Sequence, residues 1–294
     1  MVVAMAGFTV NDAITKFSSE SMNMAQVMLV RGFFATLLVG LLAWRSGALG
    51  SLRAASHPLV ALRVLGEAGG TVTYLLALAH LPIANVSAVQ QALPLAVTMG
   101  AALFFGEGVG WRRWLAIAAG FAGVLVIVRP GFAGFSAYSL LVLVCVGFCA
   151  LRDLATRRIP VEIPTLLISA VTSLAMTVLG AALLPVMGGW TPMGVDTTAL
   201  LALAAVLVLI GYQFIIMGMR VGDISFIAPF RYTALLWSIL LGILIFGDFP
   251  DAAMIAGSLI IVGSGLYALY RERVVGRKMP AAESAGPDLA PDGI

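Results

Sequence analysis

Phe105-Gly106-Glu107 recurs as Phe246-Gly247-Asp248, 141 residues further along the chain. The same offset carries Asp12-Ala13-Ile14-Thr15-Lys16 onto Asp153-Leu154-Ala155-Thr156-Arg157. Gly7-Phe8 returns as Gly147-Phe148 at an offset of 140. Each copy consists almost wholly of apolar segments long enough to cross a bilayer. Two similar membrane-crossing halves are a plan that many transporters share.

Composition bounds the class. Of 294 residues, 61% are hydrophobic and 11% charged, against roughly 25% charged in a soluble domain. Such a chain cannot cover a water-facing surface, so it reads as one integral membrane domain. The formal net charge of +3 is too small to suggest a nucleic-acid partner. Cys145 and Cys149, four apart in an apolar run, read as ordinary buried residues. A metal centre needs more ligands than they supply, so neither metal nor cofactor is expected.

A span needs about 20 apolar residues. Ten segments qualify: 2–19, 24–45, 59–80, 83–105, 111–129, 137–157, 162–185, 197–219, 224–246 and 251–271. The first meets Asn11 and Asp12 early, so either the start is truncated or its outer end faces other helices. With the N-terminus in the cytoplasm, ten spans return the C-terminus there. The inner connections then hold twelve basic residues, from Arg45 to Lys278, against Lys16 and Arg129 outside. Five spans per half send the second half in from the opposite face, which makes the repeat inverted. The expected organisation is residues 1–135 and 136–275 as inverted five-helix repeats, with 276–294 a disordered cytoplasmic tail.

Several motifs resemble a known family. Tyr74 through His80 and Pro82, Ala92-Leu93-Pro94, Phe105-Gly106-Glu107, Gly120 through Gly123 and Arg129-Pro130-Gly131 look like an EamA domain. Ala228 through Trp237, followed by Phe246 through Pro250, resembles its second copy, with Asp248 where the family usually has Glu. The resemblance covers about residues 1–271 and points to the ten-helix drug/metabolite transporter superfamily. It implies an all-α membrane fold of two inverted repeats, no cofactor, and export of small metabolites, often amino acids. A bacterial inner-membrane location is expected.

Ionisable groups inside a membrane are costly and seldom face lipid. Asp12, Arg31 and Glu67 fit either a coupling or substrate role or a structural ion pair, with Arg31 and Asp12 joined between helices. Arg231 is either a substrate contact or a side chain reaching for the interface. Arg152 and Asp153 read as structural, at a span end beside Arg157 and Arg158. Gln90, Gln91 and Pro94 share the fourth span, and Pro229, Arg231 and Tyr232 occupy nearly the equivalent place in the ninth. A proline frees a backbone carbonyl, and two interrupted helices at matching positions point to a transport site. Tyr74 maps close to Tyr212 and Gln213, beside glycines in both cases. Trp237 lies mid-span as a further wall residue. Ala116, Gly120 and Gly123 in the fifth span, with Gly257, Gly263 and Gly265 in the tenth, allow close packing. They suit a scaffold or a homodimer surface, and a monomer remains equally open.

The expected partners are a small-molecule substrate and the lipid bilayer. Tyr, Trp, Phe, Gln and Met with few charges suit a neutral or amphipathic metabolite, amino acids including aromatic ones first. Another metabolite (a nucleobase, a drug-like compound or a cation resembling S-adenosylmethionine), or uptake instead of export, stays open. No Walker-type loop occurs, so a gradient must drive movement. An intramembrane enzyme is the distant alternative. A GxGD protease needs Gly where Arg220 or Ile245 stands, and His57 and His80 lie in a loop and at a helix end.

Overall fold

The computed structural model describes residues 1–131, 135–160, 162–221 and 228–275, with side chains at 51–53, 213, 215–221 and 272–275 left out. The expected tail at 276–294 lies outside the described residues, as does the side chain of Gln213.

Ten helical spans follow the apolar segments closely. They are span 1 (Val2–Ser18), span 2 (Met24–Arg45), span 3 (Pro58–His80), span 4 (Ile83–Gln90 and Leu93–Phe105) and span 5 (Trp111–Val128). The second set is span 6 (Ala137–Thr156), span 7 (Thr165–Leu183), span 8 (Val195–Val221), span 9 (Ala228–Phe246) and span 10 (Ala252–Val275). Among the described residues nine of these are long and apolar enough to cross a bilayer. Span 1 has 17 residues, about 26 Å at 1.5 Å per residue, just under a hydrocarbon core of about 30 Å. A short 3₁₀ segment, Ala48–Ser56, fills the connection between spans 2 and 3. No periodicity in the sequence announces it.

The packing repeats with the sequence. Span 1 lies on span 8 and span 6 lies on span 3, while spans 2 and 7, 4 and 9, and 5 and 10 pair with each other. Exchanging the first five spans for the last five leaves that pattern unchanged. Lipid is as apolar as a leucine side chain, so close backbone approach has to hold such helices together. The duplicated Phe supplies the approach twice. A Cβ on Gly211 would stand 2.9 Å from the Phe8 ring, and one on Gly69 would stand 2.6 Å from the Phe148 ring. Gly66 meets backbone instead of a ring, with Phe148 and Arg152 main-chain atoms 2.9 Å from its would-be Cβ. The glycines of spans 5 and 10 are used inside one chain: Gly123 and Gly257 each face the other's carbonyl oxygen, at 2.6–2.8 Å from the would-be Cβ.

The opening tripeptide ends spans 4 and 9. Gly106 (φ 66°) and Gly247 (φ 68°) take the left-handed conformation that only glycine adopts cheaply. The next amides, Glu107 and Asp248, bond back six residues to Ala101 and Gly242, satisfying carbonyls that the helix end would leave free. That turn aims each acid at the other half of the molecule. The Lys16 ammonium lies 3.4 Å from the Asp248 carboxylate, donates to the Leu81 carbonyl at 2.5 Å, and sits 4.9 Å from the centre of the Phe246 ring. The Arg157 guanidinium donates to Glu107 at 2.9 Å, and Arg158 covers the Phe105 ring at 4.0 Å. Each duplicated base thus meets the duplicated acid of the opposite copy.

Candidate functional site

A cavity of about 340 Å³ lies between the two halves, within the size range of small-molecule sites. Helical phase decides which side chains reach it. Met1, Met5, Phe8 and Asp12 line it from span 1, Glu67, Gly70, Thr71 and Tyr74 from span 3, and Cys145, Cys149 and Arg152 from span 6. Intervals of three and four residues run through each set, one face of an α-helix, with Thr9 and Asn11 of span 1 at its margin.

The interrupted helices deliver the rest. Pro94 has no N–H to give the Gln90 carbonyl, and span 4 breaks into a turn at Gln91–Ala92. Gln90, Gln91 and Ser87 line the cavity at that break, and the Gln90 amide reaches the Cys145 sulfur at 3.4 Å. Span 9 begins as a 3₁₀ turn over Ala228–Tyr232, becomes α-helical at Thr233–Leu241 and ends in a π turn at Gly242–Phe246. From it Arg231 and Ala234 line the cavity.

Polar contacts divide the wall into two groups. The Tyr74 hydroxyl donates to Asp12 at 2.7 Å, and the Asn11 amide donates to the other Asp12 oxygen at 3.0 Å. Arg31 donates to the Asn11 carbonyl oxygen at 3.2 Å, so Asn11 stands between Arg31 and Asp12 where a direct pair was one expectation. In the second group Arg152 donates to Glu67 at 3.1 Å and to Asp153 at 2.8 Å. Asp153 is wholly buried. Phe8 and Tyr212 meet edge to face at 5.0 Å between centroids, adding an aromatic wall.

Of the residues singled out in the sequence, Asp12, Arg31, Glu67, Tyr74, Gln90, Gln91, Tyr212 and Arg231 come together here. Pro94 is buried at the helix break and acts through it. Pro229 lies within the 3₁₀ turn that starts span 9. Tyr232 packs with Ala228 and Leu269 against span 10, and Trp237 is not among the lining residues. Trp237 is on the same face as Ala234, one turn further along span 9, and stands outside this cavity. Arg152 was read as a span-end residue, yet it lines the cavity. The pair Cys145 and Cys149, read as plain core, lines it too. The 145-149-152 spacing was the available signal, since it puts all three on one face. The wall is also more charged than composition suggested, with Asp12, Glu67, Arg31, Arg152 and Arg231 all facing it.

Residues 1–129 match the model of the EamA-like transporter family. A riboflavin transporter of Rhizobium johnstonii is 30% identical over 71% of this chain and 69% of its own length. This chain belongs to the EamA-like transporter family. The S-adenosylmethionine uptake transporter of Rickettsia prowazekii is 26% identical over 92% of both chains. The pseudopaline exporter CntI of Pseudomonas aeruginosa is 28% identical over 89% of this chain and 91% of its own. A solved structure of 22% identity superposes with a TM-score of 0.57 over 92% of this chain and 98% of that one, which shows the fold alone. As an EamA protein of the drug/metabolite transporter superfamily, the chain is an integral membrane transporter of two inverted five-helix repeats and not an enzyme.

Proposed function

We propose that this EamA protein is a secondary exporter of small zwitterionic metabolites, amino acids including aromatic ones foremost, in a bacterial inner membrane. The observation that carries this reading is the composition of one cavity wall. Asp12, held by Tyr74 and Asn11, offers a carboxylate to an ammonium group. Arg31 and Arg231, with Arg152, offer guanidinium groups to a carboxylate. Phe8, Tyr74 and Tyr212 offer ring faces to an apolar or aromatic side chain. A zwitterion satisfies all three in one pose.

Movement follows from the two halves. With both termini cytoplasmic, as the basic-residue bias favours, the Lys16–Asp248 contact closes the outer end and Arg157–Glu107 the inner end. Rocking one half against the other parts these contacts in turn, and the cavity meets each side alternately. Asp12 and Glu67 are the acids available for proton coupling. Flux into or out of proteoliposomes, with a labelled panel of amino acids, nucleosides and organic cations at several pH gradients, tests the reading. Neutral amino acids should move, aromatic ones included. Failure of every amino acid while nucleosides or cations cross would overturn it. Unchanged flux and pH dependence in Glu67→Gln would remove Glu67 from coupling.

A further inference from the structure

Behind the main cavity, spans 2, 3, 7 and 8 line a second, half-open chamber of about 140 Å³. The two spaces share Arg31, Glu67, Thr71 and Tyr212 as a common wall. That volume equals roughly four or five water molecules, room for a carboxylate on a short chain or a hydrated halide.

One lining residue is out of balance. Arg63 is 6% exposed, and a guanidinium has five N–H donors and no acceptor. Nη1 donates to the Thr172 hydroxyl at 2.8 Å, while Nε is buried with no acceptor. The Thr172 hydroxyl passes its own proton to the Ile168 carbonyl, so it gives Arg63 a lone pair but no negative charge. Glu67, one helical turn along span 3, is engaged by Arg152, which also holds Asp153. A buried cation short of acceptors is costly. A single anion in the chamber supplies the missing acceptor.

We propose that this chamber is a binding site for a small monovalent anion, held by the Arg63 guanidinium beside Thr172. The anion is either free, of the halide or acetate kind, or the carboxylate of the transported molecule lodged across the shared wall. The free-anion case is independent of the transport reading, and the carboxylate case rests on it.

Thermal unfolding of the purified full chain in detergent separates these cases. Chloride and acetate are compared with gluconate, too bulky for the chamber, at matched ionic strength. A free-anion site predicts that chloride or acetate raises the Tm of the wild type and leaves Arg63→Gln unmoved. Thr172→Val, which keeps the charge and takes the Nη1 acceptor away, should bind the anion at least as tightly, since a second Arg63 N–H is then free for it. A carboxylate site predicts no response to either ion. Phenylalanine then stabilises the wild type, its methyl ester does not, and Arg63→Gln erases that difference. Equal responses of wild type, Arg63→Gln and Thr172→Val to all four compounds would sink the proposal. Arg63→Gln removes a poorly satisfied buried charge, so it should fold; if it does not, the Thr172→Val comparison decides alone.

Discussion

The interface of spans 1 and 8 and the interface of spans 3 and 6 are copies of one design, built to different tightness. At the first, Gly211 receives the Phe8 ring and Gly7 leaves 3.3 Å between a would-be Cβ and the Leu207 carbonyl. At the second, Gly66 and Gly69 admit Phe148 and the Arg152 backbone at 2.6–2.9 Å, and Arg152 ties Glu67 to Asp153 across the contact. The flanking ion pairs differ in the same sense. Lys16 and Asp248 are 3.4 Å apart, whereas Arg157 and Glu107 are 2.9 Å apart. A lysine is a point charge on a flexible stem, and a guanidinium is a planar fork matched to a carboxylate. The two copies share one architecture and differ in how closely their end contacts are made. In the proposed cycle this biases the resting protein toward opening at the Lys16 end.

Substitutions can break that comparison, and the largest effect belongs to the tight interface. Gly66→Leu drives a side chain into backbone that cannot yield, so we expect more than about 3 kcal/mol of destabilisation and loss of folded protein. Gly7→Ala meets only one carbonyl at the edge of contact and should cost less than about 1 kcal/mol. Size-exclusion profiles and thermal unfolding of both variants check the pair, and equal damage would refute the difference in tightness.

Arg152→Gln comes next. It leaves Asp153 buried and Glu67 at the cavity wall without their shared cation, a loss of about 3 kcal/mol, carried mainly by Asp153. Adding Glu67→Gln to it should recover part of the melting temperature. Absence of any recovery would mean that the pair is not coupled.

The two end contacts give a smaller, directional effect. Asp248→Asn should raise labelling of Cys145 and Cys149 by an impermeant thiol reagent applied outside, and Glu107→Gln should raise it from inside. Each change removes a partly exposed pair of roughly 1 kcal/mol, so a severalfold change in labelling is expected. Asp248→Asn should show the smaller increase, since its contact is already the looser. Labelling from the same side in both variants would contradict the assignment of the contacts to opposite faces.

The smallest effect concerns Asp251, at the start of span 10. Its carboxylate accepts from the Met254 amide at 2.7 Å and pairs with Arg129. The Met254 amide first, and Arg129 after it, hold this carboxyl below its ordinary range. A lowered native pKa gives stability that is fully present above the unfolded value, near 3.9, and lost as pH falls through the native one. Because the group is half exposed, solvent screening leaves roughly a few tenths of a kcal/mol. Melting curves between neutral pH and about pH 3 should separate wild type from Asp251→Ala at the neutral end and converge at the acid end.

Much of the architecture could be read from the chain because membrane spans obey a local rule. Every backbone polar group in lipid must bond within its own helix, so apolar length and turn residues place the ten spans to within about four residues. The cavity was legible only in part. Asp12, Glu67 and the Gln90–Pro94 break stand out because a polar group or a missing N–H in an apolar run is anomalous anywhere. Arg152 did not stand out, because beside Arg157 and Arg158 it looks like an interfacial charge. Trp237 stood out for its mid-span depth, and depth alone does not say which turn of a helix borders the cavity. Tyr232 lies one residue after Arg231 in the 3₁₀ turn, and that rotation of about 120° sends it to span 10.

The sequence by itself determined the number of spans, the duplication and the place of the helix breaks, since each follows from composition and local backbone chemistry. Only the tertiary structure decided that Lys16 meets Asp248, that Arg157 meets Glu107, and that Arg63 is left short of acceptors. Those facts depend on contacts between residues as much as 232 positions apart. Helical phase and the depth of each glycine contact set them, and neither is a property of any single segment.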